Sequence, residues 1–401
     1  MIWLLVGLVL IGFAYDWVTT LWLTNWLSGN HILGGDHASP PNPEPIPTGE
    51  LALREAQAAH LVQPAAGPAP QQNRRAACAP QIPAITYFRP LKTGVPQLEV
   101  KLRAFFSVID HDDQVLIGIH EDDLASASQA QAALAVFSEQ DIQIVFCRRD
   151  VARNPKINKL LQLAPLARHE HWIVADSELE NPAEFLPEFV NEWTAGQFPV
   201  LSAPYRFRHL TLATAPVLHM LLPGLAVLQR TGKITNTLGA ALAVTRAHIA
   251  QLGGWESLSD ELAEDYQLGH RLAAQGVPVR FSRTVAALDN DPATVLSTFH
   301  QLHRISATYR RCQPLGFAGS LVLHSIFWSL LAASLHPIGW AALALASVSR
   351  VIVCQRRAQL LGWSIPFPKI LFLIPVSSLL DTVFWCLAWL PLPIHWAGRR
   401  W

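Results

Sequence analysis

Trp172-Ile173-Val174-Ala175-Asp176 is a short apolar run that stops on a carboxylate. The same design precedes it, where Val115 to Ile119 leads into His120-Glu121-Asp122-Asp123. Two further strand-like runs, Ala84 to Phe88 and Ile142 to Cys147, share the β-branched and aromatic character of strands. Helical stretches fall between the runs, at Leu98 to Val108, Ser126 to Phe137 and Ile157 to Leu166. Strands that alternate with helices imply an α/β domain with a mostly parallel sheet wrapped by helices. Open sheets of this kind bind ligands beyond the carboxyl ends of their strands. Glu121, Asp122, Asp123 and Asp176 are therefore expected on one rim, where carboxylate oxygens can hold Mg2+ or Mn2+ beside phosphates.

Working outward, the flanks change character. The chain has 401 residues, 51% apolar and 15% charged, which suggests one globular unit with appended membrane segments. Ile2 to Leu23 is apolar apart from Asp16 and two Thr, close to the length a helix needs to cross a bilayer. No Lys or Arg precedes this run and no small-residue cleavage site follows, so residues 1–27 read as an anchor rather than a signal peptide. Residues 28–83 read as a linker, because ten Pro between Ser39 and Pro83 leave too few large apolar side chains for a core. A short helix is expected at Leu51 to Leu61 within it.

Residues 84–315 hold the expected catalytic domain, and 316–401 a C-terminal helical membrane region. Candidate spans there are Gly316 to Leu335, Ile338 to Cys354 and Ile370 to Leu390, divided by His336-Pro337 and by a basic loop, Gln355 to Gln359. Arg350, Arg356 and Arg357 favour a cytoplasmic position for that loop. Pro375, Ser377, Ser378 and Asp381 leave two forms open for the third segment, a crossing or a re-entrant hairpin. The five Cys are scattered without metal-ligand spacing, and 30 basic residues balance 30 acidic ones. No zinc site, disulfide framework or nucleic-acid partner is expected.

Transfer of an activated phosphate-linked group requires a cationic or metal clamp and a base. Glu264 to Leu272 reads as an amphipathic helix, with Leu262, Leu268 and Leu272 facing inward and Asp265 in its first turns. The helix N-terminus stabilises a carboxylate there, while partial burial raises its pKa toward that of a general base. Lys92 and Lys156 are candidate phosphate contacts. Asn154 and Asn158 either meet a nucleotide or cap the helix that follows. Gln301 and Arg304 supply further polar groups.

Taken together, Phe88-Arg89-Pro90-Leu91-Lys92-Thr93-Gly94-Val95-Pro96, Asn154-Pro155-Lys156-Ile157-Asn158, Asp176-Ser177, Leu252-Gly253-Gly254-Trp255, Glu264-Asp265-Tyr266 and Gln301-Leu302-His303-Arg304 resemble the ceramide glucosyltransferase family and its bacterial hopanoid-biosynthesis relatives. The resemblance spans Ile85 to about Gly316 and implies a GT-A type nucleotide-sugar domain that inverts the anomeric centre. It implies Asp265 as base and places Asp176 with the metal and donor. Two departures stand out. The acidic run at Glu121 is one residue shorter than the family's first Asp motif, and Ile305 replaces the Trp that follows Arg304 in the family.

The resemblance implies transfer of one sugar from a UDP-sugar to a lipid. Residues around Arg304, Thr308, Arg310, Pro314 and Gly316 are similar to the hopanoid branch, for which the expectation is N-acetylglucosamine onto bacteriohopanetetrol; glucose onto ceramide is the alternative. The implied setting is a bacterial inner membrane, with several spans and a cytoplasmic catalytic domain. A processive polysaccharide synthase would need a larger helical channel. Ile305 and the compressed acidic run keep a different class in view, a nucleotide-sugar-binding scaffold with weakened catalysis.

Overall fold

The computed structural model describes residues 1–29, 83–289, 294–396 and 399–401. The expected linker, all but its first two residues and Pro83, and the helix expected at Leu51 to Leu61 lie outside these residues.

After the N-terminal helix α1 (Ile2–Leu27), the expected alternation follows: β1 (Ile85–Pro90), α2 (Leu98–Phe106), β2 (Gln114–His120), α3 (Leu124–Leu134), β3 (Asp141–Cys147), α4 (Pro155–Leu163) and β4 (His171–Ala175). All residues of β1 and β2 are buried, as expected of parallel strands covered on both faces. The chain continues through α5 (Pro182–Ala195), β5 (Val200–Ser202), β6 (Tyr205–Phe207), α6 (Leu222–Thr231), β7 (Ala241–Thr245), α7 (Arg246–Gln251), α8 (Glu264–Ala274), β8 (Val279–Phe281) and β9 (Ala286–Leu288).

The large sheet has the order β3-β2-β1-β4-β7-β5-β8. β1 to β4 are parallel to one another, but β7 runs antiparallel to both β4 and β5. The sheet is thus mostly parallel, as expected, with β7 as an antiparallel insertion that the expectation did not include. Helix–strand alternation stops at β4; β5 and β6 intervene before the chain returns to insert β7, so its direction is not written in the repeat. A small parallel pair, β6 with β9, stands apart from the main sheet.

The remaining elements are α1, α9 (Val295–Cys312), α10 (Pro314–Ser320), α11 (Ser325–Leu335), α12 (Ile338–Leu360) and α13 (Phe367–Leu387), followed by the ribbon β10 (His395–Trp396) and β11 (Arg399–Arg400). Among the described residues α1, α12 and α13 are long and apolar enough to cross a membrane. The first expected C-terminal span is instead bent by 48° between Leu323 and Ser325. α13 is one continuous helix through Pro375, so the hairpin alternative does not apply. The expected basic loop at Gln355 to Gln359 is also corrected, because α12 continues as helix to Leu360.

A buried ionic knot accounts for that correction. Asp16 of α1 pairs with Arg350 at 2.8 Å and with Arg357 at 3.3 Å. Arg357 is fully buried and also donates to Thr19 and Thr20 at 3.0 Å and to the Leu218 carbonyl at 2.9 Å. Arginines that look like loop charges can thus lie inside a bundle when a carboxylate meets them. Through this knot α1 becomes part of the folded unit. Its buried stripe Leu5, Val9, Gly12, Asp16, Leu23 and Trp26 has helical spacing, and Trp26 reaches Phe281 of β8. A Cβ at Gly12 would lie 2.9 Å from that of Ser325, so the absence of a side chain lets α1 approach α11 closely.

Asp16→Leu would leave two buried guanidiniums without their carboxylate. We expect a loss of about 3–5 kcal/mol, the scale for stranding a buried charge, visible as a lower unfolding temperature of the detergent-solubilised protein. An unchanged transition would remove the knot from the stability account.

Candidate active site

The parallel strands β1, β2 and β4 bring the segments after them to one end of the sheet. Asp176 follows β4, and its backbone is fixed from two sides: its N–H donates to the Ala240 carbonyl at 3.0 Å, and its carbonyl accepts from Arg89 Nη1 at 2.7 Å. Arg89 belongs to β1, is fully buried, and lies with its guanidinium carbon 4.5 Å from the Phe105 ring centroid. Burial lowers its pKa to about 10 although Asp176 and Glu178 oppose the shift, so it remains a cation at neutral pH.

Lys156 projects from the first turn of α4 into this end of the sheet. Asn154 caps that helix by accepting from the N–H groups of Lys156 and Ile157 at 2.8 and 3.1 Å, with Pro155 at the first helical position. The same Asn154 donates to Glu264 Oε2 at 2.9 Å and to the Glu261 carbonyl at 2.8 Å, which docks α4 against the start of α8. Lys156 Nζ then lies 2.7 Å from Asp176 Oδ1, 3.1 Å from the Gly239 carbonyl and 3.6 Å from Glu264 Oε1.

Asp265 completes the cluster. Its Oδ1 accepts from the Tyr266 N–H at 2.8 Å, and its carbonyl accepts from Thr237 Oγ1 at 2.5 Å. Oδ2 lies over Gly239, where an added Cβ would sit 2.8 Å away. Burial pushes Asp176 up to about 6 and raises Glu264 and Asp265 as well, with Lys156 partly offsetting each shift. Burial works against the ammonium of Lys156, but Asp176, Glu264 and Asp265 outweigh it and raise its pKa.

Arg304 approaches from α9, half-buried and within electrostatic reach of Tyr205, Glu264, Asp265 and Glu178. Its guanidinium carbon lies 5.9 Å from the ring centroid of Trp396. Gln301 precedes it by one turn and is half-buried.

The structure brings Asp176, Lys156, Asp265 and Arg304 into one electrostatic group. Lys92 is mostly exposed and pairs with Glu178 at 3.1 Å, so it borders the group. Asn154 and Asn158 are both fully buried, Asn154 as the helix cap that was one of its two expected roles and Asn158 beside Gln162 at 3.2 Å. On the acidic turn, Glu121 is exposed and Asp122 is gripped by Arg149 through bonds of 2.7 to 3.1 Å. Asp123 caps α3 by accepting from the Ser126 N–H at 3.1 Å. Burial alone would raise the Asp123 pKa, but hydrogen bonds from Ser126 and Thr93 bring it below the usual value. Among the described residues no three His, Cys, Asp or Glu side chains are arranged to hold a metal.

Sequence reasoning missed Arg89, Glu178, Tyr205 and Trp396. Glu178 had a signal, since an acid two residues after Asp176 repeats the carboxylate on the same strand exit. Arg89 had a weaker one, a cation inside an apolar strand. Tyr205 and Trp396 reach the site by tertiary placement.

The family model described as glycosyl transferase family 21 matches residues 54–401. The chain belongs to this family. Ceramide glucosyltransferase 1 of Caenorhabditis elegans is 21% identical over 236 residues, which cover 56% of this chain and 49% of the relative. The match thus spans about half the length of that curated relative. A mannosyltransferase from Pyrobaculum calidifontis, solved with GDP-Man and Mn2+, shares the fold at a TM-score of 0.52 and 15% identity, with 96% of this chain and 99% of that chain covered. The fold is GT-A-like, with apolar helices at both ends of the chain.

In this family 21 member Gly239→Ala would displace the Asp265 carboxylate, and a misplacement approaching 1 Å lowers turnover by about 100-fold. Initial rates of nucleotide release would measure the loss, and a wild-type rate would separate Gly239 from the site. The rate should also fall as pH drops through about 6, the value to which burial pushes Asp176. Protonation there neutralises the Asp176 carboxylate. An acid limb at the ordinary Asp value of about 3.9 would contradict the burial of the cluster.

Proposed function

We propose that this family 21 member is an inverting, membrane-bound transferase that moves one sugar from a UDP-sugar to a lipid hydroxyl, with Asp265 as the base. The observation that carries this reading is the Asp265 carboxylate itself. It is half-buried, has one oxygen held by a backbone N–H, and lies within electrostatic reach of the half-buried Arg304. In the transfer, Asp265 takes the acceptor hydroxyl proton as the new C–O bond forms on the face of the sugar opposite the breaking bond to diphosphate. Arg304 receives the charge that develops on the departing diphosphate, with Gln301 on the same helix face. Lys156 holds Asp176 and Glu264 in place and keeps their like charges from driving each other protonated.

Asp176 and Glu178 are the residues that would hold Mg2+ or Mn2+. Ammonium groups 2.7 Å and 3.1 Å away already mark both carboxylates as cation-facing, and such ions usually combine one or two carboxylates with substrate phosphates and water. The ion would supply positive charge to the diphosphate. Glu121 and Asp122 lie at the β2 end of the rim, beyond this pair, whereas Asp123 is committed to its helix cap. Lys92 beside Glu178 is a further contact for the donor phosphates.

The acceptor follows from the setting. α9 carries Arg304 directly before the apolar helices, and Val295, Leu296 and Leu315 on its flanks are strongly exposed. A base fixed beside a membrane surface gains the positional advantage of oriented reactants for an insoluble alcohol. N-acetylglucosamine onto a hopanoid polyol is the leading pair, supported by the residues from Arg304 to Gly316. Glucose onto ceramide is the second, favoured by the worm relative. A multi-pass protein of a bacterial inner membrane, with its catalytic domain in the cytoplasm where nucleotide sugars are made, completes the proposal.

Membranes containing the protein, incubated with separate UDP-sugars, a divalent cation and either bacteriohopanetetrol or ceramide, should yield one added sugar by lipid mass spectrometry. Hexosamine on the hopanoid supports the first pair and hexose on ceramide the second. UDP-sugar binding without product would select a scaffold. Asp265→Asn should abolish transfer while retaining donor affinity, because the lost function acts in the transition state. It should not lower the unfolding temperature at neutral pH. Burial raises the Asp265 pKa, so the folded state binds its proton more readily than the unfolded chain, and its ionisation at neutral pH costs stability that the amide avoids. Normal turnover by Asp265→Asn would end its assignment as base.

A further inference from the structure

Among the described residues Arg304 has no hydrogen bond or ion pair, and the group set against its guanidinium is the indole of Trp396. This ring comes from a distant part of the chain and is held there by its surroundings. Ile394 is buried with Ala307, Phe317 and Ala388, which seats the strand against α9, α10 and the end of α13. Trp401 and Ile394 exchange backbone hydrogen bonds of 2.8 and 3.2 Å, and Trp396 pairs with Arg399 across the ribbon.

The second strand of the ribbon reaches the other side of the site. Arg399 donates to the carbonyls of Arg149, Ala152 and Arg153 at 2.9, 3.1 and 2.7 Å. Arg153 returns a bond of 2.8 Å to the Arg400 carbonyl and lies 4.4 Å from the Trp401 ring centroid. That loop leads directly into Asn154 and Lys156, and its Arg149 grips Asp122. On the first strand, His395 stacks on His300 of α9 at 5.3 Å. The ribbon therefore joins the helix that carries Arg304 to the loop that sets Lys156.

We propose that Trp396 is a positioning residue for Arg304, an aromatic face that stands in for the ring absent at Ile305 and makes the ribbon part of the donor-diphosphate site. The inference rests on the reading of Arg304 as the residue that meets the diphosphate. A guanidinium lying over an aromatic face keeps its N–H edges free for two parallel bonds to phosphate oxygens, and the planar fork loses little freedom when it forms them. An alkyl side chain offers apolar contact there without the quadrupole that attracts the cation. The structural difference between Ile305 and Trp396 is one of route: the ring arrives through a tertiary contact instead of from the next residue in the helix.

The test uses the full chain in detergent and measures UDP and UMP affinity by titration calorimetry. Trp396→Leu should weaken UDP by about 3- to 30-fold, the range for loss of a cation–π contact, while UMP, which lacks the outer phosphate, keeps its affinity. Trp396→Phe should recover most of the loss. In an Arg304→Ala background Trp396→Leu should add nothing, because it acts through a group already removed. Equal weakening of UDP and UMP, full additivity with Arg304→Ala, or wild-type UDP affinity in Trp396→Leu would each overturn the proposal. Trp396→Leu preserves most of the buried volume, and unfolding curves recorded beside the titrations establish that the variant is folded. A wild-type protein that binds no uridine nucleotide would instead overturn the transferase reading, so the two failures are distinguishable.

Discussion

The ammonium of Lys156 is the constraint on which the site depends. Three carboxylates, Asp176, Glu264 and Asp265, approach each other at the end of a buried sheet, and burial drives all of them toward protonation. Without a cation between them the segments that carry them would repel, and the first turn of α8 could not dock against α4 and β4. Lys156 meets that need from a helix whose cap, Asn154, holds Glu264 with its other amide atom. One Asn thus fixes the cation and one of its anions at the same time. The arrangement is costly in stability, and it leaves carboxylates poised above their usual pKa.

The membrane region repeats the logic with opposite stoichiometry. There one carboxylate, Asp16, serves two buried arginines, and Arg357 also binds a carbonyl of the catalytic domain. A polar group in an apolar bundle must find a partner, so the pairing dictates which helices touch and in what register. The N-terminal helix becomes structurally continuous with the domain through Trp26 and Leu23 as well as through this knot. Catalytic and membrane parts are consequently held in a defined relation, which matters for a site that would act on a lipid.

Arg304 sits where these two systems meet. It belongs to an amphipathic helix that packs on α13 through Phe299 and Phe384, and its guanidinium is within electrostatic reach of Tyr205, Glu264 and Asp265. The paired strands β10 and β11 close the circuit by linking that helix to the loop before Asn154. The anionic cluster, the cationic side and the aromatic face thus come from separate stretches of chain, each anchored by its own hydrogen bonds.

Much of this is legible in the amino-acid sequence alone. The runs ending at His120 and Ala175 read as parallel strands because a short, continuously apolar run that stops on acids suits a strand covered on both faces. The amphipathic spacing after Glu264 places Asp265 in a first helical turn. Local pattern is enough for such features because strand and helix periodicities are properties of neighbouring residues. What only the tertiary structure decided were the pairings between distant residues. The antiparallel insertion of β7, the burial of Arg350 and Arg357 against Asp16, the commitment of Asn154 and Asp123 to helix caps, and the arrival of Trp396 over Arg304 all depend on which surfaces meet in space. A charge reads as a loop residue until its partner is known, and an absent ring reads as a loss until another part of the chain is seen to supply one.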